Sequence, residues 1–366
     1  MLLLNPGPVN LTERVRRSLL QDDLCHRESE FYDLQSEARE RLLATHDLDP
    51  KAWAAVLMTA SGTAAVESMV AALVPERGCV LIVENGVYGE RIAQICARYR
   101  VPHERVIGSW MEAPDLDAIA ARLDAGAAAG RFTHLAVVHH ETTTGRLNDL
   151  AGLSQLCRVR GVQVLLDGVS SFGAESIDFG DSSLDAVAAT ANKCLHGVPG
   201  AAFVIVRRSA LMRAVSRTFY LDLARLAALQ DQRGTPFTPA VHAYYALVEA
   251  LKEFADEGGR AARYARYAAL AEQVRTGLAS QGIETLLPPA VSSVVLRAYR
   301  LPRGVDYPTL HDSLKAKGFV IYAGQGDLSK TLFRISTMGN LNAADMDRLV
   351  DCFRQWQPRA QSAPSG

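Results

Sequence analysis

The sequence predicts an α/β protein, with a large domain on a mostly parallel sheet flanked by helices and a smaller α+β domain after it. Short apolar runs alternate with helix-length stretches through the first two hundred residues, which is the pattern of βαβ units. Most of these runs are apolar throughout rather than at every second residue, as strands buried on both faces require. The third observation is length. At 366 residues the chain is long for one core, and the alternation is interrupted by EGGR at 257–260. The expected boundaries are an N-terminal segment (1–14), a large domain (15–258), a small domain (259–356) and a flexible tail (357–366).

The opening NPGPVNLTERV pairs a Pro-Gly-Pro turn with a helix start, for which Asn10 and Thr12 are candidate caps. A charge-rich helix follows over about 28–44. The run Val56-Leu57-Met58 leads into Thr59-Ala60-Ser61-Gly62-Thr63 and then AAVESMVAALV, giving strand, small-residue turn and helix. VLIVEN (80–85), VPHERVI (101–107), the start of HLAVVHHETTTG (134–145) and VQVLLDGVSSFG (162–173) are predicted strands. GVYGERIAQICARY, DLDAIAARLDA and LAGLSQLCRVRG are the helices between them. Two more strands cover 186–191 and 201–206. Beyond 206 come helices, one of them long, from about residue 238 past 255. The small domain is expected to hold a helix at 264–280, a strand at 292–297, a helix at 307–317, the strands FVIYAG and TLFRIST, and a last helix at 343–355.

Composition excludes several classes. A net charge of -1 leaves no electrostatic footprint for nucleic acid or an anionic membrane surface. No apolar run approaches the ~18 residues of a membrane span, and MLLLNPGP is too short for a signal peptide. The six cysteines contain no CxxC pair, so reduced thiols and a cytoplasmic location are expected. The nine histidines lack metal-ligand spacing, and no metal is expected.

The most telling stretch is DAVAATANKCLHGVPG at 185–200, where Lys193 lies between two buried runs. A lysine there is costly unless its amine is neutralised or chemically used. The chain prefers arginine for positive charge, and Lys193 is the only lysine between Lys51 and Lys252. Arginine can neither release its proton nor form an imine, whereas a desolvated lysine can do both. Lys193 is therefore a candidate Schiff-base lysine for pyridoxal phosphate; a lysine snorkelling from a strand end is the plainer alternative. The cofactor reading requires an acid for the pyridine nitrogen, a phosphate cradle and an aromatic for the ring. Asp167 ends the run VLLD, Ser61-Gly62-Thr63 opens a helix, and Tyr88 stands at another helix start. Taken singly, each also reads as a cap or a packing residue. Ser61, Tyr88, Thr142, Asp167 and Lys193 all follow strand ends, however, and a parallel sheet gathers such positions on one rim.

Together, ANKCLHGVPG with Lys193, LLDGVSSFGA with Asp167, HHETTTG at 139–145, ASGTAAVE at 60–67 and NPGP at 5–8 resemble the fold-type I, class V aminotransferases. The resemblance covers nearly the whole chain, and the forms of HxETTTG, SSFG and ANKCxxGVPG are most similar to the branch that uses 2-aminoethylphosphonate. It implies pyridoxal 5'-phosphate as cofactor, amine and keto-acid substrates, an N-terminal segment near the active site, and a homodimer with shared sites. By position it implies that Lys193 and Asp167 are catalytic. Lys193 would hold the cofactor and shuttle a proton, and Asp167 would pair with the pyridinium. Tyr88 would stack on the ring, Ser61, Gly62 and Thr63 would bind the phosphate, and Thr142 would lie near the 3-oxygen. Thr238 would reach the partner's phosphate, and Arg334 would grip a carboxylate.

Two stretches depart from the family pattern: Ala240-Val241 after FTP, and Tyr322-Ala323-Gly324-Gln325 with Arg334-Ile335-Ser336-Thr337. Both bear on the substrate side rather than the cofactor. The alternatives to an aminophosphonate transaminase are an ammonia lyase acting on a hydroxylated aminophosphonate, a transaminase of the alanine–glyoxylate type, and a non-catalytic pyridoxal phosphate-binding regulator. The last lacks any DNA-binding module or basic face.

Overall fold

The computed structural model describes residues 1–127 and 131–356, so the tail assigned to 357–366 lies outside the described residues. Its main sheet has seven strands: β1 (Trp53–Ala60), β2 (Cys79–Glu84), β3 (His103–Ile107), β4 (Phe132–Val138), β5 (Gln163–Asp167), β6 (Leu184–Thr190) and β7 (Gly200–Arg207). Across the sheet they run β1-β7-β6-β5-β4-β2-β3. Every pair from β6 to β3 is parallel, and β7 alone is reversed, antiparallel to both β6 and β1. The link through Lys193 and the Gly-Val-Pro-Gly turn is too short for a parallel crossover, which takes a dozen or more residues, so β7 returns alongside β6.

Consecutive strand residues serve opposite faces. Leu166 packs with Phe31, Leu81, Phe203 and Leu247, whereas Leu165 packs with Val66, Met69, Ile82 and Ile92. Helices Gly62–Leu73 and Val87–Arg98 cover the second face, and Ser29–Ala44 and Val241–Asp256 cover the first. The last of these begins at Val241 rather than near Thr238. Pro239 disfavours helical backbone at the residue before it, and the Ala240 N–H donates to the Thr59 hydroxyl at 2.8 Å.

The EGGR break is a reversal, with Gly258 and Gly259 at φ +97° and +69°. Helix Gly259–Ala279 starts within it, earlier than the sequence pattern indicates. Strands β8 (Leu296–Arg300), β9 (Tyr322–Ala323) and β10 (Leu332–Ser336) form a second, antiparallel sheet in the order β8-β10-β9. Its core includes Tyr299, Leu314, Phe333, Leu349 and Phe353. The N-terminus joins this unit, Leu2–Leu3 pairing in parallel with Phe319–Val320 and Leu4 entering its core. The Asn10 side chain bonds the Leu3 N–H at 3.0 Å and the Leu3 carbonyl at 2.8 Å, closing residues 3–10 into a loop. Thr12, not Asn10, caps helix Glu13–Arg17.

Candidate active site

The loop at 3–10 faces the link between β6 and β7. Lys193 Nζ donates to the Pro6 carbonyl oxygen. Gly7 has φ +106°, and a Cβ there would lie 2.8 Å from Lys193 Cδ and 2.9 Å from the Asn192 carbonyl oxygen. Burial pushes the Lys193 ammonium down to about 8. The charges of Cys194 and Asp167 oppose the shift, and those of Arg334 and Arg91 add to it. A larger fraction of this amine is therefore neutral near physiological pH than in an exposed lysine.

Asp167 ends β5 and is 7% exposed. Burial raises its carboxyl to about 6, against the pull of the Val169 N–H and the charges of Arg91 and Lys193. Oδ1 accepts from Val169 N–H at 3.0 Å, and no donor among the described residues reaches Oδ2. A buried carboxyl with a free oxygen suits a cationic ring nitrogen.

Ser61 is the N-cap of helix Gly62–Leu73, and its side chain makes no capping hydrogen bond. The first N–H groups of this helix have no helical acceptor, as at every helix start, and so suit a phosphate. Gly62 is the close-approach position, since a Cβ there would meet Val169 Cγ1 at 2.8 Å, beside Asp167. Arg91 Nη1 donates to Thr63 Oγ1 at 3.2 Å, and its guanidinium lies 4.6 Å from the Tyr88 ring centroid. The helix that carries Tyr88 is thereby tied to this cradle.

Arg334 on β10 is 1% exposed, and burial lowers its pKa. Its Nε donates to the Ala323 carbonyl at 2.7 Å, and Nη1 donates to the Thr142 carbonyl at 2.7 Å and to Gln325 Oε1 at 3.2 Å. The arginine therefore clamps the small sheet to the HETTTG turn while leaving Nη2 unengaged among the described residues. Gln325, at one of the positions that depart from the family pattern, is part of that clamp.

The structure thus brings Ser61, Gly62, Thr63, Tyr88, Thr142, Asp167, Lys193 and Arg334 to one region. Thr238 stands apart. It is exposed, beside Thr59, Tyr220, Phe237 and Pro239, and no hydrogen bond joins it to the other site residues. Sequence reasoning assigned no role to four participants. Arg91 carried a signal, as it lies one helical turn after Tyr88 on the same face. Pro6 and Gly7 fall in NPGP, which the resemblance set near the active site, but their contact with Lys193 spans nearly two hundred residues and had no signal of its own. Glu141 looked like a polar turn residue, yet it is fully buried.

Comparison with known proteins agrees with this geometry. The family model for aminotransferase class V matches residues 19–328. A 2-aminoethylphosphonate–pyruvate transaminase from Lactiplantibacillus plantarum is 34% identical over 97% of this chain and 98% of its own. Another from Vibrio cholerae is 35% identical with the same coverage. Among solved structures, an alanine–glyoxylate aminotransferase from Nostoc aligns with TM-score 0.89 and 27% identity over 97% of this chain and 94% of its own. An aspartate aminotransferase from Thermus thermophilus aligns with TM-score 0.87 and 27% identity over 97% and 98%.

The chain belongs to the class V aminotransferase family. It is a pyridoxal phosphate-dependent transaminase of the fold-type I architecture, and the half-buried lysine, the half-satisfied Asp167 and the uncapped helix start fit that cofactor.

Proposed function

We propose that this enzyme transfers the amino group of 2-aminoethylphosphonate to pyruvate, giving phosphonoacetaldehyde and alanine. The observation that carries the reading is a lysine able to handle an amino group and a buried arginine in one site, the arginine's charge adding to the fall in the lysine's proton affinity. A transaminase receives two substrates in turn, and only the keto acid carries a carboxylate. Arg334 is suited to that substrate because Nε and Nη1 are held by the Ala323 and Thr142 carbonyls and Gln325, which fixes the guanidinium and leaves Nη2 to donate to a carboxylate oxygen. The aminophosphonate itself is indicated by full-length similarity to relatives of that name.

Bound pyridoxal phosphate supplies an electron sink for the substrate's carbon-bound electrons. Lys193 would hold the group and would carry a proton to and from the reacting carbon. Its depressed pKa leaves a fraction of the amine free to accept that proton. Asp167 would keep a proton at the ring nitrogen. Tyr88 would cover the ring, Thr142 would lie near its 3-oxygen, and Ser61, Gly62 and Thr63 would hold the phosphate through backbone and hydroxyl donors.

The enzyme works as a homodimer in which Thr238 of each chain reaches the phosphate bound by the other. Two features support this: Thr238 is exposed, and an uncovered aromatic cluster lies beside it. Phe219 is 74% exposed and Tyr220 44%, and Tyr220 stacks on Phe237 at 4.7 Å.

The test is a half-reaction. Enzyme mixed with 2-aminoethylphosphonate alone should lose the visible absorption of the bound cofactor and release one aldehyde per site. Pyruvate should then restore the absorption and yield alanine. Sustained ammonia release from a hydroxylated aminophosphonate, with no requirement for pyruvate, would assign the protein to the lyases instead.

A further inference from the structure

Glu141 has no part in the roles above, yet it is more completely enclosed than Thr142, Asp167 or Arg334. It is 0% exposed, and burial pushes its carboxyl up to about 7 despite the donors around it. Oε1 accepts from the Thr143 hydroxyl at 2.6 Å and from the Thr143 N–H at 3.1 Å. Oε2 accepts from the N–H groups of Tyr88 at 3.2 Å and Gly89 at 3.3 Å. Those two N–H groups belong to the first turn of helix Val87–Arg98, whose own N-cap, Gly86, has no side chain to satisfy them. A carboxylate from another element, 52 or 53 residues away in sequence, therefore caps this helix.

The same turn is tied down a second time, since the Val87 N–H donates to Thr143 Oγ1 at 3.1 Å. On its other side the Thr143 hydroxyl lies 3.3 Å from Gln325 Oε1, which also accepts from Arg334. Glycine at 86 is required by this arrangement, because any Cβ there would collide with the Glu141 carboxyl group. Its backbone is extended, so crowding rather than conformation excludes a side chain.

We infer that Glu141 is a positioning residue: by capping helix Val87–Arg98 from outside, it sets Tyr88 against the cofactor ring and Arg91 against the phosphate cradle, in register with Thr142 and Arg334. This rests on reading the site as the cofactor pocket. It does not depend on which amine is the donor.

The test compares Glu141→Gln, Gly86→Ala and the double variant with wild type. Glutamine keeps the shape but offers one acceptor oxygen and a donating amide, so one pair of donors loses its acceptor. Three quantities are measured: amide hydrogen exchange of the segment around residues 85–95 in the cofactor-free protein, the dissociation constant for pyridoxal phosphate, and visible circular dichroism of the loaded enzyme. Each single variant should exchange faster in that segment alone. Each should bind cofactor about 10- to 100-fold more weakly, the range for losing a charge-assisted hydrogen bond, and show altered dichroism. The double variant should be no worse than the weaker single, because both act on one contact.

Wild-type exchange, affinity and dichroism in either folded single variant would overturn the inference, as would additive losses in the double. A uniform drop in thermal stability with unchanged cofactor affinity and dichroism would make Glu141 merely structural and overturn it equally. Should one single variant not fold, the other decides. A wild-type protein that binds no pyridoxal phosphate would sink the reading of the site, whereas one that binds it but ignores 2-aminoethylphosphonate would sink only the choice of substrate.

Discussion

Replacing Gly7 by alanine asks whether the N-terminal loop sets the position of Lys193. At φ +106° an alanine is strained by roughly 1–2 kcal/mol. Its Cβ would also press on Lys193 Cδ at 2.8 Å and the Asn192 carbonyl at 2.9 Å, and overpacking of this kind costs roughly 1–3 kcal/mol. The two effects sum to about 2–5 kcal/mol if nothing moves. The Asn192 carbonyl is backbone between two paired strands and yields little. Relief therefore comes from the Lys193 side chain or from the loop, whose Pro6 carbonyl is the acceptor for the lysine amine. A displacement of about 1 Å at a reacting group costs on the order of 100-fold in rate. Turnover at saturating cofactor should thus fall roughly 10- to 100-fold, while the unfolding midpoint drops by only a few degrees. The assay is single-turnover kinetics paired with thermal unfolding of loaded enzyme. Wild-type turnover in a folded Gly7→Ala enzyme would refute the reasoning, and loss of stability alone would place the strain in the loop rather than on Lys193.

Other substitutions test the assigned roles. Lys193→Arg keeps the charge but cannot form the imine, so turnover should vanish, and borohydride reduction of wild type should place the cofactor adduct on Lys193 by peptide mapping. An adduct on Lys51 or Lys252 would reject that assignment. Asp167→Asn should inactivate the enzyme yet stabilise the cofactor-free protein. The folded carboxyl is raised from 3.8 to about 6, so between those values the folded state holds a proton that the unfolded state has lost, and stability falls as pH rises through that window. Removing the group should recover up to roughly 3 kcal/mol above pH 6, and denaturant titrations that show no gain there contradict it. Lys193 has the opposite slope. Lowered from 10.5 to about 8, it makes the cofactor-free protein gain stability as pH rises between those values, and Lys193→Met should abolish that gain. Mixing Lys193→Ala and Thr238→Ala chains, each impaired alone, should regenerate some sites with both native residues. No recovery in verified mixed dimers would argue against sharing.

Local chemistry made much of this protein readable from its sequence. Apolar runs separated by helix-length segments yield the βαβ order because period and length are properties of neighbouring residues. Ser61, Tyr88, Asp167 and Lys193 could be singled out because each ends or follows a run that must be buried, and sheets of this kind gather such ends on one rim. Contacts between distant segments had no such signal. Nothing near Glu141 announces that its carboxylate caps a helix some fifty residues earlier, and nothing in NPGP announces a carbonyl aimed at Lys193. The hydrogen bond from the Ala240 N–H to Thr59 and the pairing of Leu2–Leu3 with Phe319–Val320 likewise depend on which surfaces meet after collapse, whereas the reversal of β7 follows from the short link before it. Buried charges follow the same division. Sequence can say that Lys193 and Asp167 are costly to bury, but the size and sign of each shift depend on desolvation and on the charges of Arg91 and Arg334, which only the folded chain brings near.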